Sequence, residues 1–260
     1  MHLGERRHAA GDIIRSPRPH GHATSLAYHG PVRGRWAPGS GRVTFVTDVE
    51  RFVAAVQAGR VDEVRALLDA DPALLKQPGP DGASAALTAL YAGHPMLADE
   101  LAARAGELSI FEAAAFDETE RLAELIRSDP GLVEAWSADG WQPLHLAAYF
   151  GRTEAARLLL DADAPVAEPS RNSLGVQPLH SATAGRHAEL VWLLIASDAP
   201  VDARQPGGWT PLHTAAANAD LESIKALRAV GADPAAVNEE GRTPADMTTD
   251  PAVLAALHAE

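Results

Sequence analysis

The chain has no cysteine, which excludes disulfides, thiolate metal sites and cysteine nucleophiles together. It also has almost no lysine: Lys76 and Lys225 are the only two among 22 basic residues, the usage of a GC-rich genome when alanine is this abundant. No stretch approaches the roughly 18 consecutive apolar residues that span a bilayer, so no membrane partner is expected. The N-terminus lacks the uninterrupted apolar core of a signal peptide, and cytoplasm is the expected compartment. Neither G-x-S-x-G nor H-E-x-x-H occurs, so the common nucleophile-elbow and zincin chemistries are excluded. The sequence offers no catalytic residues, no metal site outside the first segment and no cofactor, and the protein is read as a non-enzyme.

Charge is present but unevenly divided. Residues 1–45 carry seven arginines against Glu5 and Asp12, a net +5, while the remainder carries 15 basic against 33 acidic residues, a net −18. A body that acidic repels phosphate backbones, so nucleic acid is not an expected partner and a basic protein is.

Residues 1–46 are rich in Gly, Pro, His and Arg without sustained periodicity, and the composition predicts a disordered basic tail. Since regular patterning starts almost at once after Val46, a true translation start near that residue is an equal reading. Within the tail, His20-Gly21-His22 has the donors for weak metal binding, although biased composition explains it as well; the alternative to a binding module is accordingly a small-molecule or metal-handling role, an enzymatic one included, through this His- and Arg-rich tail. Gly34 and Gly39 have the spacing of a phosphate loop, but Ser40-Gly41 stands where Lys-Ser/Thr is required.

From Asp48 the chain repeats itself. Pro143, Pro178, Pro211 and Pro244 stand 35, 33 and 33 residues apart. The first three open Pro143-Leu144-His145, Pro178-Leu179-His180 and Pro211-Leu212-His213, with Thr210 ahead of the third, and each leads through small residues to a leucine-rich run. Apolar positions recur at helical spacing, which predicts two short antiparallel helices per unit, the first opening at a proline where its missing N–H costs nothing. Asp163, Asp198 and Gly231 mark the ends of the second helices. Degenerate copies occupy 52–75 and 110–133. Between them 82–106 has Leu87 in the histidine position and a link to the next copy too short for a hairpin. The units are 48–78, 79–107, 108–137, 138–170, 171–204, 205–237 and 238–260, with atypical ends as a stacked array requires.

The run Gly208-Trp209-Thr210-Pro211-Leu212-His213-Thr214-Ala215-Ala216, with its leucine pair and Gly-Ala-Asp, resembles the ankyrin-repeat family. The resemblance is strong over 137–260, weaker over 48–136 and absent over 1–47. It implies an all-α solenoid of stacked helix-turn-helix units with short projecting β-hairpin-like loops. Departures are Gln142 and Gln177 in place of the motif threonine, two extra residues between Val166 and His180, and Asp117, Arg186 and Ala219 at the usual turn glycine.

Histidine in one frame three times raises the question of a metal site. Stacked helices lie roughly 8–10 Å apart, whereas two nitrogens on one ion are at most about 4.2 Å apart. His145, His180 and His213 therefore cannot converge, and are expected to brace the loops, as the family motif does. The resemblance further implies that Trp141, Val176, Trp209 and Arg242 point outward from the loops. Tyr149, Phe150, Ala184, Ala217 and Asn218 would line the concave face, giving a protein-binding surface on a monomeric scaffold. Trp141 and Trp209 have a second reading, in which their rings fold against neighbouring loops.

Overall fold

The computed structural model describes residues 47–79 and 81–258. The histidines and glycines singled out in the first 46 residues, and the disorder expected there, lie outside the described residues.

Helices come in pairs: α1 (Asp48–Gln57) with α2 (Val61–Ala70), α3 (Ala85–Tyr91) with α4 (Pro95–Ala105), and α5 (Ile110–Phe116) with α6 (Thr119–Ser128). Then follow α7 (Pro143–Phe150) with α8 (Thr153–Asp161), α9 (Pro178–Gly185) with α10 (Ala188–Ala196), and α11 (Pro211–Ala217) with α12 (Leu221–Ala229). A 3-10 turn, Pro244–Met247, leads into α13 (Pro251–His258). No strand occurs among the described residues, and the array is all-α.

Helices of 7–11 residues do not persist alone in water, so packing must hold them. The first helix of each pair forms an inner row whose contacts are made by small side chains: Ala113, Ala114, Ala147, Ala148, Ala182, Ala215 and Ala216 are fully buried. Alanine lets the inner backbones approach closely, while Leu159, Leu190, Leu194, Ile224 and Leu227 of the outer row fill the space beneath them. Burying one such leucine is worth about 1.5–3 kcal/mol.

The turns between paired helices pass through left-handed backbone. Gly151 takes φ +74°, and Asp117, Arg186 and Ala219 take φ +63°, +62° and +51° without being glycine. Second helices end likewise at Asp163, Asp198 and Gly231.

Between pairs the chain closes small rings. Ser137 N–H donates to Trp141 O (2.8 Å), Gln205 to Trp209 O (3.0 Å) and Asn238 to Arg242 O (2.9 Å). The ring from Ser170 to Val176 O is two residues longer and holds the extra residues. Adjacent rings are stitched by Arg171 N–H to Gly140 O (2.9 Å) and Glu239 N–H to Gly207 O (3.0 Å). A methyl at Gly140 would fall 2.8 Å from the Asn172 nitrogen, which is why the tip is glycine.

One junction departs from this plan. Between α4 and α5 only residues 106–109 intervene and no ring forms. The ring at 79–83 therefore meets the one at 137–141 directly: a methyl on Gly82 would fall 2.4 Å from Ala138 Cβ. In the outer row α6, α8, α10, α12 and α13 pack in sequence, but α4 and α6 barely touch. The hydrophobic core divides into two clusters near this point.

Candidate interaction surface

Two partial ladders of side-chain bonds tie successive units together, one through the histidines of the three Pro-Leu-His helices and one through the residues that open the outer helices. At the ring end, the imidazole Nε2 of His145 donates to Val176 O (3.0 Å), that of His180 to Trp209 O (3.4 Å) and that of His213 to Arg242 O (3.0 Å). The carbonyl fixes the tautomer, which leaves Nδ1 as an acceptor. Thr210 Oγ1 meets the Nδ1 of His213 at 2.8 Å, and the Thr210 N–H donates to the same atom at 3.2 Å. Where glutamine replaces threonine the fit is poorer: the Gln177 N–H reaches His180 Nδ1 at only 3.4 Å, and His145 Nδ1 and Gln142 Oε1 are buried without a partner. The frame is a capping box with histidine in the third helical position. The same box is built with acids by Thr47 and Glu50, Ser109 and Glu112, and Thr243 and Asp246.

Burial pushes the imidazoles of His145 and His180 down to about 4, against the raising effect of their carbonyl bonds. Desolvation also lowers His213, with Arg204 adding to it, and lowers His187. These rings are neutral braces.

At the opposite end, the residue opening each outer helix reaches back to the carbonyl end of the preceding inner helix, where the helix dipole favours a donor or a cation. His94 Nε2 donates to Gln57 O (3.1 Å), Arg152 Nε to Ala115 O (2.8 Å) and His187 Nε2 to Tyr149 O (3.0 Å). At the next junction the Asn218 amide performs this task, donating to Thr183 O at 3.3 Å. Glu118, opening α6, has no proton to give.

Several residues expected to face a partner are placed otherwise. Trp141 is only 8 % exposed and Val176 9 %, so neither projects from its loop. Trp141 lies on the ring of His145 (centroids 5.8 Å), whose other neighbour is Trp136 (6.3 Å), and Arg171 covers Trp136 at 4.2 Å. Stacking on the brace offers the indole more buried area than solvent does, and this corrects the outward placement of Trp141 and Val176. Trp209 lies similarly on His213 (5.9 Å) but stays half-buried. Arg242 is exposed and pairs with Glu240, Ala217 is exposed, and Ala184 is half-buried.

Tyr149 and Phe150, at the end of α7, are half-buried and meet edge to face at 5.0 Å. Phe150 also stacks on Tyr91 of α3 at 5.8 Å, and the Tyr91 hydroxyl donates to Asp139 (2.9 Å) in the ring ahead of α7. Sequence reasoning missed Tyr91, because its unit lacks the Pro-Leu-His frame. The short link at 106–109 is the signal that brings units 79–107 and 138–170 together.

Capping boxes at one period, hydrogen-bonded rings and short paired helices define a helical repeat array. A family model described as ankyrin repeats (3 copies) matches residues 52–164 and 110–205, and another described as ankyrin repeats (many copies) matches 184–228. The chain belongs to the ankyrin-repeat family. No curated protein matches it. Among the described residues no helix is long and apolar enough to cross a membrane, and no group of three or more His, Asp or Glu side chains is placed to hold a metal ion.

Proposed function

We propose that this protein is a non-catalytic recognition module that binds a basic partner protein across the concave inner-helix face, centred on Tyr149 and Phe150. The observation that carries the reading is the Tyr91–Phe150–Tyr149 cluster, three aromatic rings in contact at the ends of two inner helices and only partly covered. Aromatic side chains of this kind supply much of the energy of protein interfaces. Ala184 and Ala217, at the corresponding ends of the next inner helices, leave room beside the cluster for a partner's side chains. Trp209, Arg242 and Asn218 extend the surface toward the C-terminal units. The net −18 beyond residue 45 supports a partner of opposite charge and an association rate that falls with salt.

The test is affinity capture with the full chain, followed by substitution. Tyr149→Ser with Phe150→Ser should reduce capture about tenfold or more and leave the helical circular-dichroism signal in place. Trp141→Ala, by contrast, should lower stability by about 3 kcal/mol, because it empties a buried site. Capture that survives the double substitution unchanged refutes the reading.

A further inference from the structure

The junction where both ladders fail contains a cleft. Leu87 stands where histidine would tie α3 to a following ring, and Glu118 stands where Arg152 and His187 reach back in later units. Between α4 and α6 this leaves an open groove of about 390 Å³ on the outer-helix side. Its walls explain its size. Ala102, Ala103 and Gly106 line the α4 side, whereas counting from the residue that opens each outer helix, the positions equivalent to Ala102 are Leu160 and Ile195, partly buried against the main core. Leu108 and Phe116 form the apolar remainder.

The polar groups of the cleft are acidic. Asp99 on α4 and Glu118 at the start of α6 face it from opposite sides, and neither has an ion pair or side-chain hydrogen bond. The one cation present, Arg121, is already engaged with Leu108 O (3.2 Å) and Glu124 (3.3 Å). Met96 lies on the same helix face as Ala103, two turns earlier, and is 85 % exposed, so the apolar wall continues outward past the mouth.

We propose that this cleft is a second docking site, distinct from the concave face, for a basic segment of a partner protein: one arginine or lysine at the Asp99 and Glu118 carboxylates, with the apolar residues on either side of it against Phe116 and Leu108. Two exposed carboxylates beside an apolar floor suit a guanidinium or ammonium, whose methylenes can lie on the floor. The site stands or falls independently of the concave-face reading.

The test is a titration of the ¹⁵N-labelled full chain with two acetylated, amidated peptides, Leu-Arg-Leu and Leu-Glu-Leu. The arginine peptide should shift the Gly106 and Leu108 amides in a saturable way, and the glutamate peptide should not. Asp99→Asn with Glu118→Gln should weaken the response about tenfold. Ala102→Leu, which copies the residue at the equivalent place in α8 and so is compatible with the fold, should abolish it. Equal shifts from both peptides, no saturation, or a response that persists in Ala102→Leu overturns the proposal. So does a concentration-dependent shift without peptide, which assigns the cleft to a second copy. A shift on replacing Arg33 and Arg35 by Gln, which assigns it to the chain's own first segment, overturns it too.

Discussion

Acidification should loosen this array through its neutral histidines before its carboxylates respond. His145 and His180 are held near 4 in the folded chain and return to about 6.5 when exposed. Between those values the unfolded chain binds protons that the folded one refuses, so stability is complete above about pH 6.5 and is lost as pH falls toward 4. From pH 7 to pH 5 the linkage amounts to about 2 kcal/mol for each ring, about 4 for the pair, with His213 and His187 adding in the same direction. Against a total of about 5–15 kcal/mol that is a large fraction. The lowered carboxylates Glu50, Glu63, Glu100 and Asp246 lose their contributions only below about pH 4.5, and relief of the acidic body's self-repulsion acts in the opposite sense, so pH 7 to 5 is the informative window. Urea midpoints across that window should fall steadily, and the Cε1 resonances of His145 and His180 should not titrate in the folded protein until below pH 5. Flat midpoints, or imidazoles that titrate near 6.5 while the chain stays folded, refute the argument.

Two further outcomes follow from the braces and the turns. Gln142→Thr should change stability by less than about 1 kcal/mol in urea titration, because the threonine hydroxyl that can meet the unpaired Nδ1 of His145 replaces an amide that donates to Glu134 O (3.1 Å); a loss of several kcal/mol would show that the new hydroxyl does not reach the imidazole. Gly151→Ala should destabilise by about 2 kcal/mol or more, since its φ is +74° and the new methyl would sit 2.5 Å from the His187 ring; a smaller loss would show that the imidazole can swing away without releasing Tyr149 O.

The helix pairs and the left-handed turn positions were legible in the sequence because they rest on spacing within one unit, and the bracing role of His145, His180 and His213 because a buried imidazole must find a partner and the family motif supplies one. Proline at a helix start, small residues at i, i+3 and i+4, and a donor that must find a carbonyl are local facts. The outward placement of Trp141 and Val176 failed because it depends on the neighbouring ring. Trp141 turns inward where Trp136 and Arg171 complete a stack over His145, and those three come from different parts of two loops. Asn218, expected on the concave face, also serves the carbonyl end of α9, a bond that depends on the preceding unit. Tyr91 and Phe150, fifty-nine positions apart, meet only because a ring is missing between their units, and no periodicity within either unit encodes that.

That missing ring also explains why the two candidate surfaces lie where they do. In an array held by nearest-neighbour bonds, each junction can be altered without cost to the rest. At the α4–α5 link both ladders lapse together: Leu87 cannot donate to a ring that is absent, and Glu118 cannot donate to the carbonyl end of α3. On the inner side the loss draws the ring at 137–141 onto the one at 79–83, which carries Asp139 to Tyr91 and Phe150 to its face, assembling the aromatic cluster. On the outer side α4 and α6 pack loosely, and alanine and glycine at 102, 103 and 106 keep the gap open. The Arg65–Glu100 and Arg104–Asp69 pairs tie α4 back to α2, so the opening stays on the α6 side. The short α4–α5 link thus accompanies both a closed inner face and an open outer one, and both candidate surfaces lie at this departure from the repeat.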